Sequence, residues 1–355
     1  MNGNRPATPG RPRSRARRHV LVALTAILGV APQWLRAQQG AAIRARGVPV
    51  AGAGGESWPQ RPIRIVVPQA AGGTADLLAR VLAERLEPIL GVALVVDNRV
   101  GANGLIGTEA VKHAAPDGHT LLLASTATHA MAPHVTSSGV FDPLRDFAPV
   151  INVAWQTKVA LSSTAVPATT LAEFVAHVRE RPGKLNYAST GVGSSSHLDA
   201  ELLAAATGMR LVHIPYRGSG QTVAALTTNE VQLLLASVTA AQGAIGAGHA
   251  RALAVFSQRR SPLLPGVPTI AEAGVPGLDL RTWLGIVAPA DTPATIVGAL
   301  NATIANLLRD TGLRQWLDSQ GLEPIGGTPA AFDAAIRADV ARWGEAARKV
   351  GAATR

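Results

Sequence analysis

The sequence has 355 residues, of which 47% are hydrophobic and 4% aromatic, and its formal net charge is +10. The length exceeds one typical domain, and the composition is that of a globular α/β protein. Residues 1–57 hold nine Arg and one Glu, a net +8, which leaves +2 for the rest of the chain. A nucleic-acid-binding protein needs its positive excess on the folded domain, so this distribution disfavours that class. The absence of Cys excludes a lipoprotein anchor, disulfides and thiolate metal sites.

The N-terminal segment has the pattern of an export signal. An Arg-rich stretch precedes an apolar run over residues 20–31, and the small Ala37 fits a cleavage site. That run has twelve residues, whereas a membrane-spanning helix needs about 20. We therefore predict a cleaved signal peptide over residues 1–37, exported by the Sec route or, given Arg17 and Arg18, the twin-arginine route. An uncleaved membrane anchor is the alternative.

A folded part is predicted to start at Trp58, after a Gly- and Ala-rich flexible tether over residues 38–57. From there, short β-rich runs alternate with segments of helical periodicity. The repeated strand–helix–strand order predicts a parallel sheet with right-handed crossovers. The first series has predicted strands at 63–67, 93–97 and 120–124, and predicted helices at 74–90 and 105–114.

A second series follows a Pro- and Asp-rich region at residues 142–150. Two such series predict two lobes, and the helical tail is predicted to pack back on the first. The corresponding domains are residues 58–157 with 283–355, and residues 158–282. The second series and tail have predicted helices at 171–180, 194–207, 221–227, 294–308, 311–320 and 330–350, and predicted strands at 185–188, 211–214, 231–236, 250–256 and 283–288.

The first candidate binding loop lies in VVPQAAGGTADLLARVLAERL, residues 66–86, where a strand runs into a Gly pair and a long helix. Glycine lets the backbone approach a ligand, and the first N–H groups of a helix have no helical partner. With the helix dipole, these donors form an anion site. The loop is not a P-loop, because no Lys follows the Gly pair; a plain helix cap by Thr74 is the alternative. The candidate ligand contacts are Gln69, Ala71, Gly72, Gly73, Thr74, Ala75 and Asp76.

A second loop, in KLNYASTGVGSSSHLDAELLAAATG, residues 184–208, has the same design. Two such loops, one per lobe, are expected to face each other across a cleft at the carboxyl ends of the strands. A third candidate follows the strand at 120–124, although a lone His such as His129 is more often structural. The candidate contacts in these two places are Ser189, Thr190, Gly191, Ser194, Ser195, Ser196, Ser125, Thr128 and His129.

Enzymatic and metal sites find less support. Ser195, His197 and Asp199 are spaced two apart on one predicted helix, so we expect their side chains to point in different directions, whereas a triad converges from separate elements. The pattern G-x-S-x-G does not occur, and no pair of His has H-x-x-x-H spacing. GVGSSS lacks the third Gly of a dinucleotide fingerprint. We expect no catalytic residue, no metal and no cofactor.

Residues 58–351 resemble the Bug family of periplasmic receptors, the substrate-binding components associated with tripartite tricarboxylate transporters. The resemblance implies an α/β, type II periplasmic binding-protein (Venus flytrap) fold. In that fold two domains, each a mainly parallel sheet flanked by helices, close on the ligand. The matching stretches are WPQRPIRIVVPQAAGGTADLLAR, VVDNRVGANGLIGTEAVKHAAPDGHTLLLAS, FDPLRDFAPV, RPGKLNYASTGVGSSSHL, VHIPYRGSG, RSPLLPGVPTIAEAG and GTPAAF.

Family members hold a ligand carboxylate largely through backbone N–H groups and hydroxyls at two strand–helix loops, with ordered waters between ligand and protein. The resemblance places these loops at residues 68–76 and 189–196, and Thr128 with His129 also matches a family pattern. The chain departs from the family where Gln69, Ala70 and Ala71 replace the aromatic and prolines of P-F-P-P-G-G. It also departs where Ala236 and Ser237 replace an acidic residue and an amide. The first loop is therefore expected to be roomier, more polar and less rigid.

These features predict a periplasmic receptor that captures a small carboxylate in the interdomain cleft, for uptake or sensing. The ligand is expected to be a di- or tricarboxylate, an amino acid or an aromatic acid. Expected partners are a tripartite tricarboxylate permease or a sensor protein, and a monomer is expected. The alternative is a secreted serine hydrolase that acts on a small ester or amide through Ser189 or Ser195.

Overall fold

The strands of the computed structural model form two large sheets and one short ladder. The structure describes residues 50–51, 57–135 and 141–349. The strands are β1 Val50–Ala51, β2 Ser57–Trp58, β3 Ile63–Val67, β4 Leu94–Asn98, β5 Thr120–Ser125, β6 Phe147–Gln156, β7 Lys158–Ser163, β8 Asn186–Ser189, β9 Val212–Pro215, β10 Leu233–Ser237, β11 Ala250–Val255, β12 Thr282–Pro289 and β13 Leu322–Gly326. The helices are α1 Thr74–Leu90, α2 Leu105–Lys112, α3 Ala132–Val135, α4 Leu171–Arg179, α5 Ser195–Thr207, α6 Ser219–Thr227, α7 Val238–Gly246, α8 Ala294–Leu307, α9 Thr311–Ser319 and α10 Pro329–Lys349.

The two large sheets define two lobes. The six-stranded sheet has the order β13-β6-β12-β5-β3-β4, and the five-stranded sheet has the order β11-β7-β10-β8-β9. We call the first sheet with α1, α2, α8 and α9 lobe I, and the second sheet with α4 to α7 lobe II. The chain passes from lobe I to lobe II through Thr157, between β6 and β7, and returns between β11 and β12.

Helix α1 shows why the predicted elements form where they do. Leu78, Leu82 and Leu86 recur every four residues and are all buried against lobe I, which gives the helix one apolar face. Gly91 ends it in the left-handed conformation, at φ 73°, and its N–H donates to the Glu87 carbonyl at 2.9 Å. The helix therefore covers the predicted residues 74–90.

Helix α10 packs on both lobes. Its first half contributes Phe332 to a buried cluster with Trp283 of β12 in lobe I. Its second half contributes Trp343 and Ala347 to a buried cluster that is mostly from lobe II. Between them, Asp339 accepts a hydrogen bond from Trp283 Nε1 at 2.7 Å. The C-terminal helix therefore belongs to the contact between the lobes as well as to lobe I.

The predicted α/β class is confirmed, but each sheet is mixed, which corrects the expectation of mainly parallel sheets. The parallel pairs are β3 with β4 and β5, and β8 with β9 and β10, whereas the other neighbours in the large sheets are antiparallel. All the antiparallel pairs of the large sheets except β5 with β12 involve β6, β7 or β13, which the sequence pattern did not predict. Strand β6 contains Pro149 where the ladder shifts register, and β13 is an edge strand that contains Pro324, positions at which a sheet tolerates proline.

The predictions for the N-terminus meet the described residues only in part. The signal peptide and the alternative membrane anchor lie outside them. In the predicted tether, Val50–Ala51 pairs antiparallel with Ser57–Trp58, so ordered pairing begins before the predicted start at Trp58. Over the residues that the structure covers, no helix is both long and apolar enough to cross a membrane. The predicted domain boundaries stay a prediction.

Candidate ligand-binding site

Three segments with candidate site residues leave the sheets at the carboxyl ends of strands. Loop 1, residues 68–73, follows β3; the π-helical turn Ala127–Met131 follows β5; and loop 2, residues 190–194, follows β8. Because β3 and β5 are parallel neighbours, the first two segments emerge at the same edge of lobe I. Gly104 lies between them: a Cβ there would be 2.8 Å from Thr128 Cγ2 and 3.3 Å from Pro68 Cβ.

Helix α1 presents backbone donors at loop 1. Its N-cap is Gly73, and no side chain caps the helix. The capping role that was the alternative for Thr74 is therefore not observed. In the described part of the chain, the N–H groups of Thr74, Ala75 and Asp76 have no acceptor. Three adjacent donors at the positive end of a 17-residue helix are suited to an anionic group.

The Asp76 side chain holds the backbone of loop 1 in place through a hydrogen bond. This side chain is 3% exposed, and Oδ2 accepts hydrogen bonds from Gly72 N–H at 2.8 Å and Arg80 Nε at 3.0 Å. Arg80 also donates to Asn98, which in turn donates to the Gln69 carbonyl at 3.1 Å. Burial raises the pKa of Asp76, but the hydrogen bonds from Arg80 and Gly72 outweigh it and hold the pKa below its usual value. Two predicted contacts, Gly72 N–H and the Asp76 carboxylate, are thus bound to each other.

Helix α5 repeats the arrangement at loop 2. Its N-cap Ser194 accepts from the His197 N–H at 3.3 Å. The N–H groups of Ser195 and Ser196 have no acceptor among the residues that the structure describes. The Ser196 hydroxyl accepts from the Thr190 N–H at 3.0 Å and so holds the loop together. Lobe II therefore offers two free backbone donors at the start of a second long helix.

Side chains of lobe II, among them Ser189 and His197, accept hydrogen bonds from the backbone of loop 2. Ser189 is fully buried, and its Oγ accepts from the Gly191 N–H at 3.0 Å and lies 2.5 Å from His213 Nε2. His213 stacks on His197 with ring centroids 4.2 Å apart, and His197 Nδ1 accepts from the Gly193 N–H at 3.2 Å. Burial, with a smaller contribution from His197, lowers the pKa of His213 to about 4. Burial also lowers the pKa of His197. Both rings are therefore neutral near pH 7.

The π-helical turn after β5 buries its polar residues. Ser125 and Thr128 bond to each other, with Ser125 N–H donating to Thr128 Oγ1 at 3.1 Å. His129 is fully buried, its Nδ1 lies 3.0 Å from Thr128 Oγ1, and its ring packs against Phe147. Burial lowers the pKa of His129 to about 3. This is the environment of a core histidine, so any influence of His129 on a ligand has to pass through Thr128.

The comparisons with known proteins fit this architecture. A family model described as tripartite tricarboxylate transporter family receptor matches residues 78–352, which include most of both lobes. The chain belongs to this receptor family. The protein BugT of Bordetella pertussis is 36% identical to the receptor over 298 residues, which cover 84% of this chain and 91% of BugT.

Two solved structures extend the likeness to the fold. The periplasmic binding protein BugD is 33% identical to this receptor, with a TM-score of 0.76, over 84% of this chain and 100% of BugD. Rpa4515 of R. palustris, solved with adipate, is 36% identical with a TM-score of 0.78, over 83% of this chain and 98% of its own. The predicted Bug-family resemblance and two-domain periplasmic binding-protein fold are confirmed.

In this receptor the lobes touch beside the two loops, through residues that the sequence reasoning missed. Asn103 Nδ2 of lobe I donates to the Val192 carbonyl of loop 2 at 3.3 Å. Ala102 and Asn103 both have positive φ, 46° and 55°, which is rare for residues other than glycine. A Cβ on Gly193 would lie 3.1 Å from Val135 Cγ2. The available signal was the G-A-N-G run, because Gly and Asn favour such turns.

The apparent Ser–His–Asp set on α5 does not form a triad in the receptor. His197 points to loop 2, away from the other two side chains. The expectation that all three point in different directions is wrong for Ser195 and Asp199, which are four residues apart and meet, with Ser195 Oγ donating to Asp199 Oδ2 at 3.2 Å. The sequence reasoning also missed Lys158, whose Nζ donates to both of these side chains. In the described ranges, no group of three His, Asp or Glu residues could hold a metal ion.

One cavity of about 310 Å³ lies away from this region. It is lined by Ala206, near the C-terminal end of α5, and by residues 274–278, all of them Gly, Pro, Val or Leu. The loops at the opposite end of α5 carry the polar donors. We therefore assign the candidate site to loop 1, loop 2 and the two helix N-termini.

Proposed function

We propose that the receptor binds a small carboxylate between loop 1 and loop 2 in the periplasm. The observation that carries this proposal is the pair of long helices, α1 and α5, that begin at the two loops with five backbone N–H groups lacking acceptors in the described structure. Such donors, with the two helix dipoles, stabilise negative charge without an arginine or lysine in contact with it. The relative Rpa4515, solved with adipate, supports a dicarboxylate ligand.

The architecture favours capture by closure. We propose that residues 58–157 with 283–355 and residues 158–282 move as two domains about Thr157, and that Asn103 and Val192 meet when they close. A ligand that contacts both helix N-termini stabilises the closed state because the open state offers only one of them. The predicted residues of loop 1, the first turn of α1, the π-helical turn, loop 2 and the start of α5 remain our proposed site residues. Among them, Asp76, Ser189 and His129 act on the ligand through the groups to which they bond.

The wider role is proposed from the same resemblance. Export by a signal peptide over residues 1–37 agrees with the periplasmic naming of BugD. The closed receptor, a monomer, would then present its ligand to a tripartite tricarboxylate permease or to a sensor protein. Binding assays with the purified permease of a neighbouring gene, or with the periplasmic domain of a neighbouring sensor, distinguish the two partners.

A serine hydrolase is the second candidate, because Ser189 Oγ lies 2.5 Å from His213 Nε2. Against it, Ser189 is fully buried and its Oγ accepts from the Gly191 N–H, which leaves the nucleophile facing its own loop. Treatment with a serine-reactive phosphonate, read by intact mass, tests this function. Labelling of Ser189 or Ser195 would support a hydrolase, and an unchanged mass would remove it.

The carboxylate proposal predicts stabilisation by acids. A panel of adipate, malate, glutamate and benzoate, each with its amide as the control, is added to the protein and the melting temperature is measured. At 100 times Kd a ligand adds about 2.7 kcal/mol to the stability of the native state, so at least one acid is expected to raise the melting temperature. If no acid of the panel changes it, the proposal is wrong.

A backbone variant tests the donors directly. Thr74 is the first residue of α1, where proline is well tolerated, and Gly73 before it has the extended conformation that proline requires (φ -77°, ψ 165°). Thr74→Pro should therefore fold and lose the Thr74 N–H, which weakens acid binding, whereas Thr74→Ala removes only the hydroxyl. Equal affinities of the two variants would show that this N–H does not contact the ligand.

A further inference from the structure

Lobe II contains a buried ion pair that the proposed function does not yet use. Lys158 and Asp199 are 7% and 0% exposed at their side chains, and Lys158 Nζ donates to Asp199 Oδ2. The same Nζ donates to Ser195 Oγ at 2.6 Å, and Ser195 Oγ donates to Asp199 Oδ2 at 3.2 Å. The three side chains therefore form a closed ring of hydrogen bonds, which includes the first residue of α5, Ser195.

The sheet topology places this ring at the binding edge of lobe II. Strand β7 runs antiparallel to β10, so its first residue, Lys158, pairs with the last residue of β10, Ser237. Strand β10 is parallel to β8, from which loop 2 emerges. Lys158 also follows Thr157, where the chain enters lobe II.

Stability alone is a weak reason for this pair. Taking two charges out of water costs several kcal/mol per ion, and apolar residues of similar volume often replace such pairs without loss. Burial lowers the pKa of Lys158 and raises that of Asp199, and their mutual attraction opposes both shifts. Asp199 Oδ1 is buried without a hydrogen-bond partner in the described structure. Arg342 of α10 adds positive charge nearby but is itself paired with Asp339.

The ring restricts what Ser195 can do at the site. A hydroxyl has one proton to donate and two lone pairs that accept. Because Lys158 Nζ has three protons and no lone pair, it can only donate, and it occupies a lone pair of Ser195 Oγ. The proton of Ser195 is then free to turn from Asp199 to a ligand atom beside the Ser195 and Ser196 N–H groups. Asp199 keeps Lys158 as its partner when this happens.

We propose that Lys158, with Asp199, is a positioning residue that commits the Ser195 hydroxyl to donate to the ligand, so that the site selects an ionised carboxylate over its amide. This inference rests on the proposed carboxylate function and adds a specificity determinant to it. An ionised carboxylate accepts hydrogen bonds at both oxygens and so matches the three donors at the start of α5, whereas an amide accepts only at its carbonyl oxygen and brings N–H groups that oppose those donors.

The test compares an acid with its amide in a set of variants by isothermal titration calorimetry. The probe is the acid of the panel that binds the wild-type protein most tightly. Ser195→Ala should weaken acid binding about 10- to 100-fold, the effect of losing one hydrogen bond to a charged group, and should leave the weak binding of the amide little changed. Lys158→Met/Asp199→Leu, which removes both charges together, should lower the acid-to-amide preference in the same direction.

The combined variant separates positioning from structure. If Lys158 acts through Ser195, adding Ser195→Ala to Lys158→Met/Asp199→Leu should change acid affinity little further. A purely structural pair would lower the melting temperature, yet would leave the preference and the full effect of Ser195→Ala intact, and that result overturns the proposal. Should the double charge variant fail to fold, an unchanged acid-to-amide ratio in Ser195→Ala overturns it instead.

Glu180→Gln/Arg181→Met is the matched control. It removes an exposed ion pair of 2.9 Å at the end of α4, close before β8 begins and so at the edge of the sheet opposite loop 2. Its acid-to-amide preference should equal that of the wild type. If the wild-type protein binds no acid of the panel, the carboxylate function fails and this inference with it. If it binds an acid but the preference survives in every variant, only the positioning role fails.

Discussion

At the scale of single residues, Asp76 illustrates how one side chain organises a binding loop. Sequence reasoning took Asp76 as a ligand contact because it lies in the first turn of the helix that follows the predicted binding loop. In the structure it accepts hydrogen bonds from Gly72 N–H and Arg80, so its charge is used within the protein. Its effect on a ligand is therefore to shape loop 1 rather than to meet the ligand's carboxylate.

Asp76→Asn should destabilise the protein by about 1–3 kcal/mol at pH 7, because a buried charged hydrogen-bond acceptor is lost. Since the pKa of Asp76 is lowered in the folded protein, its contribution is present above the unfolded-state pKa and disappears as the pH falls through the folded-state pKa. The difference between variant and wild type should therefore narrow below about pH 4. Urea denaturation at pH 7 and pH 3 measures it.

Asp97→Asn serves as the control, because Asp97 is 31% exposed and forms ordinary surface ion pairs with Arg99 and Arg64. Such pairs contribute about 0–1 kcal/mol. The role assigned to Asp76 would be contradicted if Asp76→Asn lowered the free energy of unfolding no more than Asp97→Asn does. It would also be contradicted if the loss were the same at pH 7 and pH 3.

At the scale of elements, the segment from Gly101 to Gly104 of lobe I makes a hydrogen bond to lobe II. Its four residues all have positive φ, and this conformation carries the Asn103 side chain to the Val192 carbonyl of loop 2. Non-glycine residues in this region cost of order 1–3 kcal/mol, and such strain clusters at sites where ligands bind or elements move. We interpret the segment as the contact that holds the closed receptor together.

Asn103→Gly keeps the left-handed backbone and removes only the side chain, so it tests this contact without added strain. We expect ligand dissociation to accelerate and Kd to rise about 2- to 10-fold, the value of one neutral hydrogen bond. Stopped-flow fluorescence with the acid identified by the panel measures both. Asn229→Gly is the matched control, since Asn229 has φ 61° close after α6 and its side chain accepts one hydrogen bond, from Gln232, in the described structure. Equal rates in the two variants would argue against a closing contact.

At the scale of the whole molecule, buried neutral histidines couple stability to pH. Burial lowers the pKa of His129 to about 3 and, with His197, that of His213 to about 4. His197 itself is shifted in the same direction by burial. Between about pH 6.5 and these values the unfolded chain binds protons that the native state does not, so stability must fall as the pH falls.

We predict a loss of about 1.4 kcal/mol per pH unit for each histidine that is protonated only in the unfolded chain. His129→Gln should reduce this slope between pH 6 and pH 4.5 by up to about 1.4 kcal/mol per pH unit, the contribution of one proton. Thermal and urea denaturation over this range measures the slopes. An identical slope in wild type and His129→Gln would mean that His129 is not the titrating group.

Elements whose signals are local were predicted from the sequence, and elements that depend on the sheet around them were missed. Helix α1 was predicted to the residue, because its periodicity and its stop at Gly91 are both local. Strands β6 and β13 were missed, since each contains a proline that only a register shift or a sheet edge makes acceptable. Helix α7, VTAAQGAIG, was missed as well, because its Gly residues and near-uniform small side chains give no clear periodicity.

The sequence by itself determined the α/β class, the family and the two helix starts, because strand ends, glycine turns and helix N-termini are properties of short segments. Only the tertiary structure decided which polar groups remain available. Asp76 and Gly72 satisfy each other, while Lys158 reaches Ser195 from 37 residues away and Asn103 reaches Val192 from 89. Hydrogen bonds across such separations depend on how the sheets are ordered and packed, and no local pattern contains that information.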